Sequence, residues 1–277
     1  MTRSTRLKAE LEADETYARG LARAAAGALI FSFPLLMTME MWEFGFHMDR
    51  VRLGLFLTVN TAVVFGLSRF TGFRDTGANW ADDLLDALAA MLVGFVVAAS
   101  LLALFGLFTP HMSPREVIGM VAVQAAPASI GAILANRQLQ ASGQGPSRED
   151  RAGYLGQLFL MASGALFFAF NVAPTEEVIL ISFSMTAWNA LALVSVSLLA
   201  LHGLVFSVGF AGQESHEGHG PAFLHYTLAG YGVALLVSVY ILWTFGRLDG
   251  GLNDTVRSAV VLGFPASLGA AAARLVV

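Results

Sequence analysis

The sequence predicts an all-α polytopic transmembrane helical bundle, with about eight spans arranged as two parallel four-span repeats. Three observations predict it: a composition too apolar for a soluble globule, a series of apolar stretches of membrane-crossing length, and short motifs that recur in order along the chain. Of 277 residues, 56% are hydrophobic and only 13% are charged, and the mean hydropathy is +0.66. A soluble domain carries about 25% charged residues. Half that content leaves too little polar side chain to cover a globule, so the solvent for most of the surface is lipid.

The spans read as Ala22–Phe46, Val51–Leu67, Leu84–Phe108 and Val117–Ala135, then Tyr154–Ala187, Trp188–Phe210, Phe223–Phe245 and Val256–Val277. Each is close to or above the roughly 20 residues that cross about 30 Å of hydrocarbon as a helix. None alternates polar and apolar residues as a barrel strand would. The fifth is too long for one straight span, and Pro174 is expected to break or kink it. The chain accordingly divides into a tail (1–21), a first membrane repeat (22–137), a linker (138–153) and a second membrane repeat (154–277). The linker is polar and holds Gly143, Gly145 and Pro146, with no apolar face.

Lys and Arg set the orientation. One side holds Arg3, Arg6, Lys8, Arg19, Arg23, Arg69, Arg74, Arg137, Arg148, Arg151 and Arg274, eleven of the sixteen. Arg50, Arg52, Arg115, Arg247 and Arg257 fall on the other, so both termini are expected in the cytoplasm.

The repeat is carried by several matches in order. Gly27-Ala28-Leu29-Ile30-Phe31-Ser32-Phe33 reads against Gly164-Ala165-Leu166-Phe167-Phe168-Ala169-Phe170. At the same offset Thr38 falls on Thr175 and Glu40 on Glu177. With one residue inserted, Pro127-Ala128-Ser129-Ile130-Gly131-Ala132 meets Pro265-Ala266-Ser267-Leu268-Gly269-Ala270. Four spans return the chain to its starting side, so the halves are expected to be parallel. The small residues of this last motif suit close helix packing, or the lining of a passage at an axis between the halves.

Charge and residue inventory exclude several classes. The net charge of −4 is dispersed and gives no nucleic-acid footprint. With no cysteine there is no disulfide, thiolate metal site or thiol nucleophile. Lys8 is the only lysine and sits in the tail, so no Schiff base forms within the bundle. His202 stands alone in its span, which reads as a hydrogen-bonded packing histidine rather than a haem ligand. Asp82, Asp83 and Asp86, beside Trp80, suit the free N–H groups of a helix start, with a cation-collecting mouth as the alternative. His216 and His219 lie in a glycine-rich loop without helical spacing or a third fixed ligand, which reads as a solvated loop. Arg247, Asp249, Asp254 and Arg257 read as a charged turn beside Trp243.

The acids of the apolar runs are the candidate site. An ionised carboxylate in hydrocarbon is costly unless paired, hydrated or protonated. Glu40, Glu43 and His47 stand at i, i+3 and i+7, on one helix face. Asn171, Pro174, Thr175, Glu176 and Glu177 cluster at the expected helix break, where freed carbonyls and carboxylates suit an oxygen-ligated cation or a proton relay. The candidate cation- or proton-binding residues are Glu40, Glu43, Asn171, Thr175, Glu176 and Glu177, with Thr38 in support. Glu40, Glu176 and Glu177 are the candidate metal ligands. Crowded in a dry volume, at least one of these acids is expected to titrate above a free glutamate. The expected function is cation transport or conduction, for Ca²⁺ or H⁺, without enzymatic activity and without a resident cofactor beyond such a cation. The competing readings are a non-transporting sensor or scaffold and, below it, a lipid-acting membrane enzyme. The expected partners are the bilayer, an inorganic cation or proton and a further copy of the chain, with no nucleic acid.

Asn171-Val172-Ala173-Pro174-Thr175-Glu176-Glu177 and Leu242-Trp243-Thr244-Phe245-Gly246-Arg247 resemble the recurring motifs of a bacterial family of integral membrane proteins of unknown function. The resemblance runs over nearly the whole chain. It implies a multi-pass protein of the bacterial inner membrane and brings no activity with it. The duplicated acids are also similar to those of cation exchangers, whose signature motifs are absent here.

Overall fold

A computed structural model describes residues 3–71, 80–138, 153–207, 223–248 and 250–276. The protein is all-α. Its helices are α1 (Arg3–Leu36), α2 (Met39–His47), α3 (Arg50–Thr71), α4 (Trp80–Leu104), α5 (Pro114–Gln138), α6 (Tyr154–Val172), α7 (Glu177–Ser184), α8 (Ala187–Ser207), α9 (Ala229–Thr244) and α10 (Leu252–Val276). A π-helical segment, Phe223–Leu228, leads into α9. Eight of these segments are long and apolar enough to cross a membrane: Tyr17–Leu36, Arg50–Arg69, Trp80–Leu104, Pro114–Ala135, Tyr154–Val172, Ala187–Val205, Tyr226–Thr244 and Leu252–Ala273. The linker over 139–152 and the loop with His216 and His219 lie outside the described residues.

Two expected spans end earlier than their apolar runs. The first stops at Leu36 and the fifth at Val172, and each is followed by a short helix, α2 or α7. At the second break Pro174 has no N–H to continue the ladder, and the Thr175 N–H turns back to the Val172 carbonyl at 3.1 Å. Glu40, Glu176 and Glu177 therefore lie beyond the spanning segments, not within them as expected.

The chain divides into two compact units: Met1–Leu36 with Leu57–Gly143, and Met37–Phe56 with Gln144–Val277. In the first, α5 is the central helix, with 78% of its spanning window buried, and it packs against α1 and α4. Gly27 and Gly131 face each other so closely that a β-carbon on Gly131 would stand 2.7 Å from the Gly27 carbonyl oxygen. Gly94 lets α4 approach the α5 backbone at Ser129, with a β-carbon meeting the Ser129 nitrogen at 2.7 Å. The buried amides are anchored to these helices: Asn60 donates to the Ser129 hydroxyl at 3.0 Å and Gln124 to the Ser32 carbonyl at 2.9 Å.

In the second unit α10 packs against α6, α9, α8 and α7. Its Gly269 meets Gly164 of α6 in the same reciprocal way, and a β-carbon on Gly269 would also come 2.8 Å from Phe168 Cβ. The Pro-Ala-Ser-(Ile/Leu)-Gly-Ala segments thus serve packing inside their own units. Helix α8 is the least buried of the eight candidate spans, with only 17% of its window buried. His202 on it bonds the Thr227 hydroxyl through Nδ1 at 2.9 Å, a packing role of the expected kind.

Helices α4 and α9 end in the same turn. Gly106 and Gly246 take φ values of 69° and 65°, a left-handed conformation that favours glycine. The N–H groups of Leu107 and Arg247 then reach back to Leu102 and Leu242, at 3.0 and 2.8 Å. At the start of α3, Asp49 caps the helix by accepting from the Val51 and Arg52 N–H groups at 2.9 and 3.3 Å. These bonds, that of Val51 first, hold its pKa below the ordinary value of 3.8. A group lowered by folding stabilises above its unfolded pKa and loses that contribution as pH falls through the folded value. Asp49→Ala is therefore expected to lower the thermal midpoint at pH 7, and Asp49→Asn, which keeps an acceptor, to restore most of it. Their difference from wild type is expected to shrink below pH 4. Equal melting of all three proteins at pH 7 would remove the cap from the account.

The aspartates at the start of α4 are more deeply placed than a solvated helix start requires. Asp83 and Asp86 are 6% and 4% exposed. The Ser68 hydroxyl donates to the Asp83 carbonyl at 2.7 Å, and Arg69 lies 3.7 Å from its carboxylate.

Candidate functional site

The site belongs to the second unit. The connections after the first, fifth and seventh spans supply its walls: α2, the break between α6 and α7, and the turn after α9. Odd-numbered connections of an eight-span chain lie on one membrane face, opposite the termini. Parity alone therefore brings these three segments to the same side.

They enclose an open pocket of about 290 Å³ lined by Glu40, Glu43, Phe44, His47, Glu176, Phe245, Gly246 and Arg247. Helix α2 is nine residues long, and its 3.6-residue period turns Glu40, Glu43 and His47 to one side. Its floor is aromatic: Phe44 stacks on Phe245 with centroids 4.9 Å apart, and Phe245 and Phe170 flank Phe56 at 6.1 and 5.3 Å. This column ties α2 and the start of α3 to α6 and the end of α9 by apolar contact.

Arg247 is a residue that the sequence places in a charged turn beside Trp243. It folds inward instead. Its Nη2 donates to the Pro174 carbonyl at 2.8 Å, and its guanidinium covers the Phe44 ring at 5.2 Å. Its Nε is buried and meets no acceptor. The carbonyl exposed by the helix break is thus taken by a guanidinium of the protein. Two further arginines hold the same face: Arg52 lies over Trp243 at 5.4 Å, and Arg257 donates to the Met185 carbonyl at 3.1 Å. A β-carbon at Gly246 would stand 3.1 Å from Arg52, a second reason for glycine there. The only advance signal for Arg247 was its place in the Leu242–Arg247 motif.

The candidate residues separate. Glu40, Glu43 and Glu176 share the pocket; Glu177 is not part of its lining. Glu177 opens α7 and is exposed. Its own backbone N–H, and then the Thr175 hydroxyl, hold its pKa below the usual 4.5, so Glu177 is not a raised acid. The Thr175 hydroxyl donates to the Val172 carbonyl at 2.9 Å. Asn171 donates to Phe167 within α6 at 2.8 Å. Among the described residues no group of three or more His, Asp or Glu side chains is placed to hold a metal ion. Glu40, Glu176 and Glu177 are therefore not assembled as a cage. What remains is a mixed pocket of three carboxylates, an imidazole and a guanidinium.

Residues 20–277 match the profile of a family described as "Putative integral membrane protein (DUF2391)". The chain belongs to this family. Membership agrees with the eight candidate spans, and a protein of this kind contacts the lipid bilayer. No curated protein and no solved structure matches the chain.

Proposed function

We propose that this member of the family is a transporter or channel for a cation, H⁺ or Ca²⁺, and that ions enter or leave through the pocket of Glu40, Glu43 and Glu176. The observation that carries the reading is the convergence of three carboxylates and His47 on one cavity beside a guanidinium. Such groups concentrate cations at a mouth. The reading takes the Lys/Arg-rich side as cytoplasmic, which places the pocket outside a bacterial inner membrane. It also takes the chain as two four-span repeats. In support, Gly27 faces Gly131 in one unit and Gly164 faces Gly269 in the other, joining the same pair of recurring motifs each time. These acids are assigned no bond-breaking chemistry.

Purified protein in liposomes, with pH- and Ca²⁺-sensitive dyes inside, tests the reading. Wild type is expected to carry flux, and Glu176→Gln to reduce it at least about tenfold, a loss of ~1.4 kcal/mol in barrier terms. Glu177→Gln, outside the pocket, is expected to retain most of it. Absence of flux for both ions would favour a sensor or scaffold. One feature suits that second reading: α1 begins at Arg3, well before its spanning segment at Tyr17, and offers a polar helical extension for a partner.

A further inference from the structure

We infer that the pocket of Glu40, Glu43, Glu176 and Arg247 is a binding site for a small zwitterion, a primary ammonium joined to a carboxylate or phosphate. The guanidinium receives the acid group and the glutamates receive the ammonium. The inference goes beyond the transport reading and does not rest on it, because the binding is measurable without flux.

Charges of both signs line one cavity, yet they are not paired with each other. Among the described residues no ion pair or side-chain hydrogen bond engages the Glu40, Glu43 or Glu176 carboxylates. Arg247 is held instead by the Pro174 carbonyl at 2.8 Å and by the Phe44 ring at 5.2 Å. A guanidinium carries several N–H donors in a planar fork. One serves Pro174, and that of Nε is buried without an acceptor. The Nη1 donors meet no acceptor among the described residues and are not enclosed, so the end of the fork is open to the cavity that Arg247 lines. That end suits the paired oxygens of a carboxylate or phosphate. Glu43 and Glu176 are exposed, so an ammonium reaches them without losing all of its water. A cation gathered by the acids leaves the guanidinium unmatched, and an anion held by Arg247 leaves the carboxylates unmatched. The acids are also not grouped to hold a metal ion. A zwitterion meets each sign with its opposite, which is complementarity rather than net attraction. The cavity of about 290 Å³ stands at the small end of ligand pockets, roughly 300–1,000 Å³. It admits one amino acid or one lipid headgroup, with Phe44 and Phe245 offering apolar contact to the carbon skeleton. The same chemistry is carried by a free apolar amino acid and by an ethanolamine headgroup.

Full-length protein in detergent, at about pH 7 where these groups are charged, is titrated by calorimetry with leucine and with glycerophosphoethanolamine. Each zwitterion is compared with its single-charge counterparts: isoamylamine and isocaproate for leucine, ethanolamine and glycerol phosphate for the headgroup. Wild type is expected to bind at least one zwitterion about tenfold or more tightly than either of its counterparts. Binding of leucine assigns the site to a solute, and binding of glycerophosphoethanolamine assigns it to a lipid. Arg247→Gln and the double variant Glu43→Gln/Glu176→Gln, each checked for folding by thermal melting, are expected to weaken that binding by a similar factor. Glu177→Gln, outside the lining, is expected to keep it. Binding of neither zwitterion overturns the inference, and so does equal affinity for a zwitterion and its amine. Full binding by a folded Arg247→Gln protein or by the double variant overturns it as well. If Arg247→Gln does not fold, the double variant and the single-charge comparison decide. Zwitterion binding without ion flux in liposomes refutes the transport reading only, and flux without zwitterion binding refutes this inference only.

Discussion

Leucine at position 164 is expected to prevent the second unit from reaching a stable fold. Gly164 and Gly269 cross with their backbones in contact, and a β-carbon on Gly164 would stand 2.5 Å from Ala273 Cβ and 3.0 Å from the Gly269 carbonyl carbon. Neither obstacle is the mobile end of a side chain, so the helices must separate. In lipid, helix association rests on van der Waals packing and close backbone approach, because apolar burial alone gives no preference over acyl chains. Separating α6 from α10 removes the contact that organises the unit, because α10 is also the helix against which α7, α8 and α9 pack. Overpacking typically costs 1–3 kcal/mol, and this site sits at about the upper end or beyond. The control is Gly203→Leu on α8, where a β-carbon meets nothing within 4 Å. There the substitution is expected to be neutral, or to stabilise by up to about 1 kcal/mol through helix propensity. Detergent-solubilised protein is compared by size exclusion and thermal melting. Equal loss in both variants would show that leucine is harmful for a reason other than this crossing.

The same crossing shows what the sequence could and could not disclose. The apolar runs located all eight spans, because a membrane demands uninterrupted hydrophobic length. Their ends were less legible. Pro174 disclosed the break in the fifth run, but Val172 to Ala187 stays apolar enough to hide the second helix beyond it, and hydropathy does not register where hydrogen bonding stops. The recurring glycines were visible as motifs, but their partners were not, since helix pairing depends on contacts between distant segments. They meet inside their own units.

The acids illustrate a different limit. The spacing of Glu40, Glu43 and His47 follows from local geometry, and α2 presents all three to one pocket. Glu176 and Glu177 are adjacent in sequence, yet helix geometry turns successive side chains about 100° apart. One lines the pocket, while the other is occupied with its own helix start. Arg247 was the least legible residue. A cation seven residues before Asp254 and ten before Arg257 reads as part of an exposed charged turn, until the left-handed glycine at 246 directs it back toward Pro174.

Sidedness is the remaining prediction with an all-or-none readout. The chain has no cysteine, so single cysteines can be introduced without a background. Gly153 immediately precedes α6, is exposed, and would have nothing within 4 Å of a β-carbon. Leu252 begins α10 and is 82% exposed. The spans Tyr154–Val172, Ala187–Val205 and Tyr226–Thr244 separate the two positions, and an odd number of crossings puts them on opposite faces. Because Arg247 precedes α10 in the same connection as Leu252, the label at Leu252→Cys reports the face of the pocket. A membrane-impermeant maleimide applied to intact bacterial cells is expected to label Leu252→Cys fully and Gly153→Cys only after permeabilisation. The reverse pattern would keep the span count but place the pocket in the cytoplasm, against the excess of Lys and Arg on the termini side. Labelling of both from outside would mean an even number of crossings between them. That result would remove the shared face on which the pocket's three connections depend.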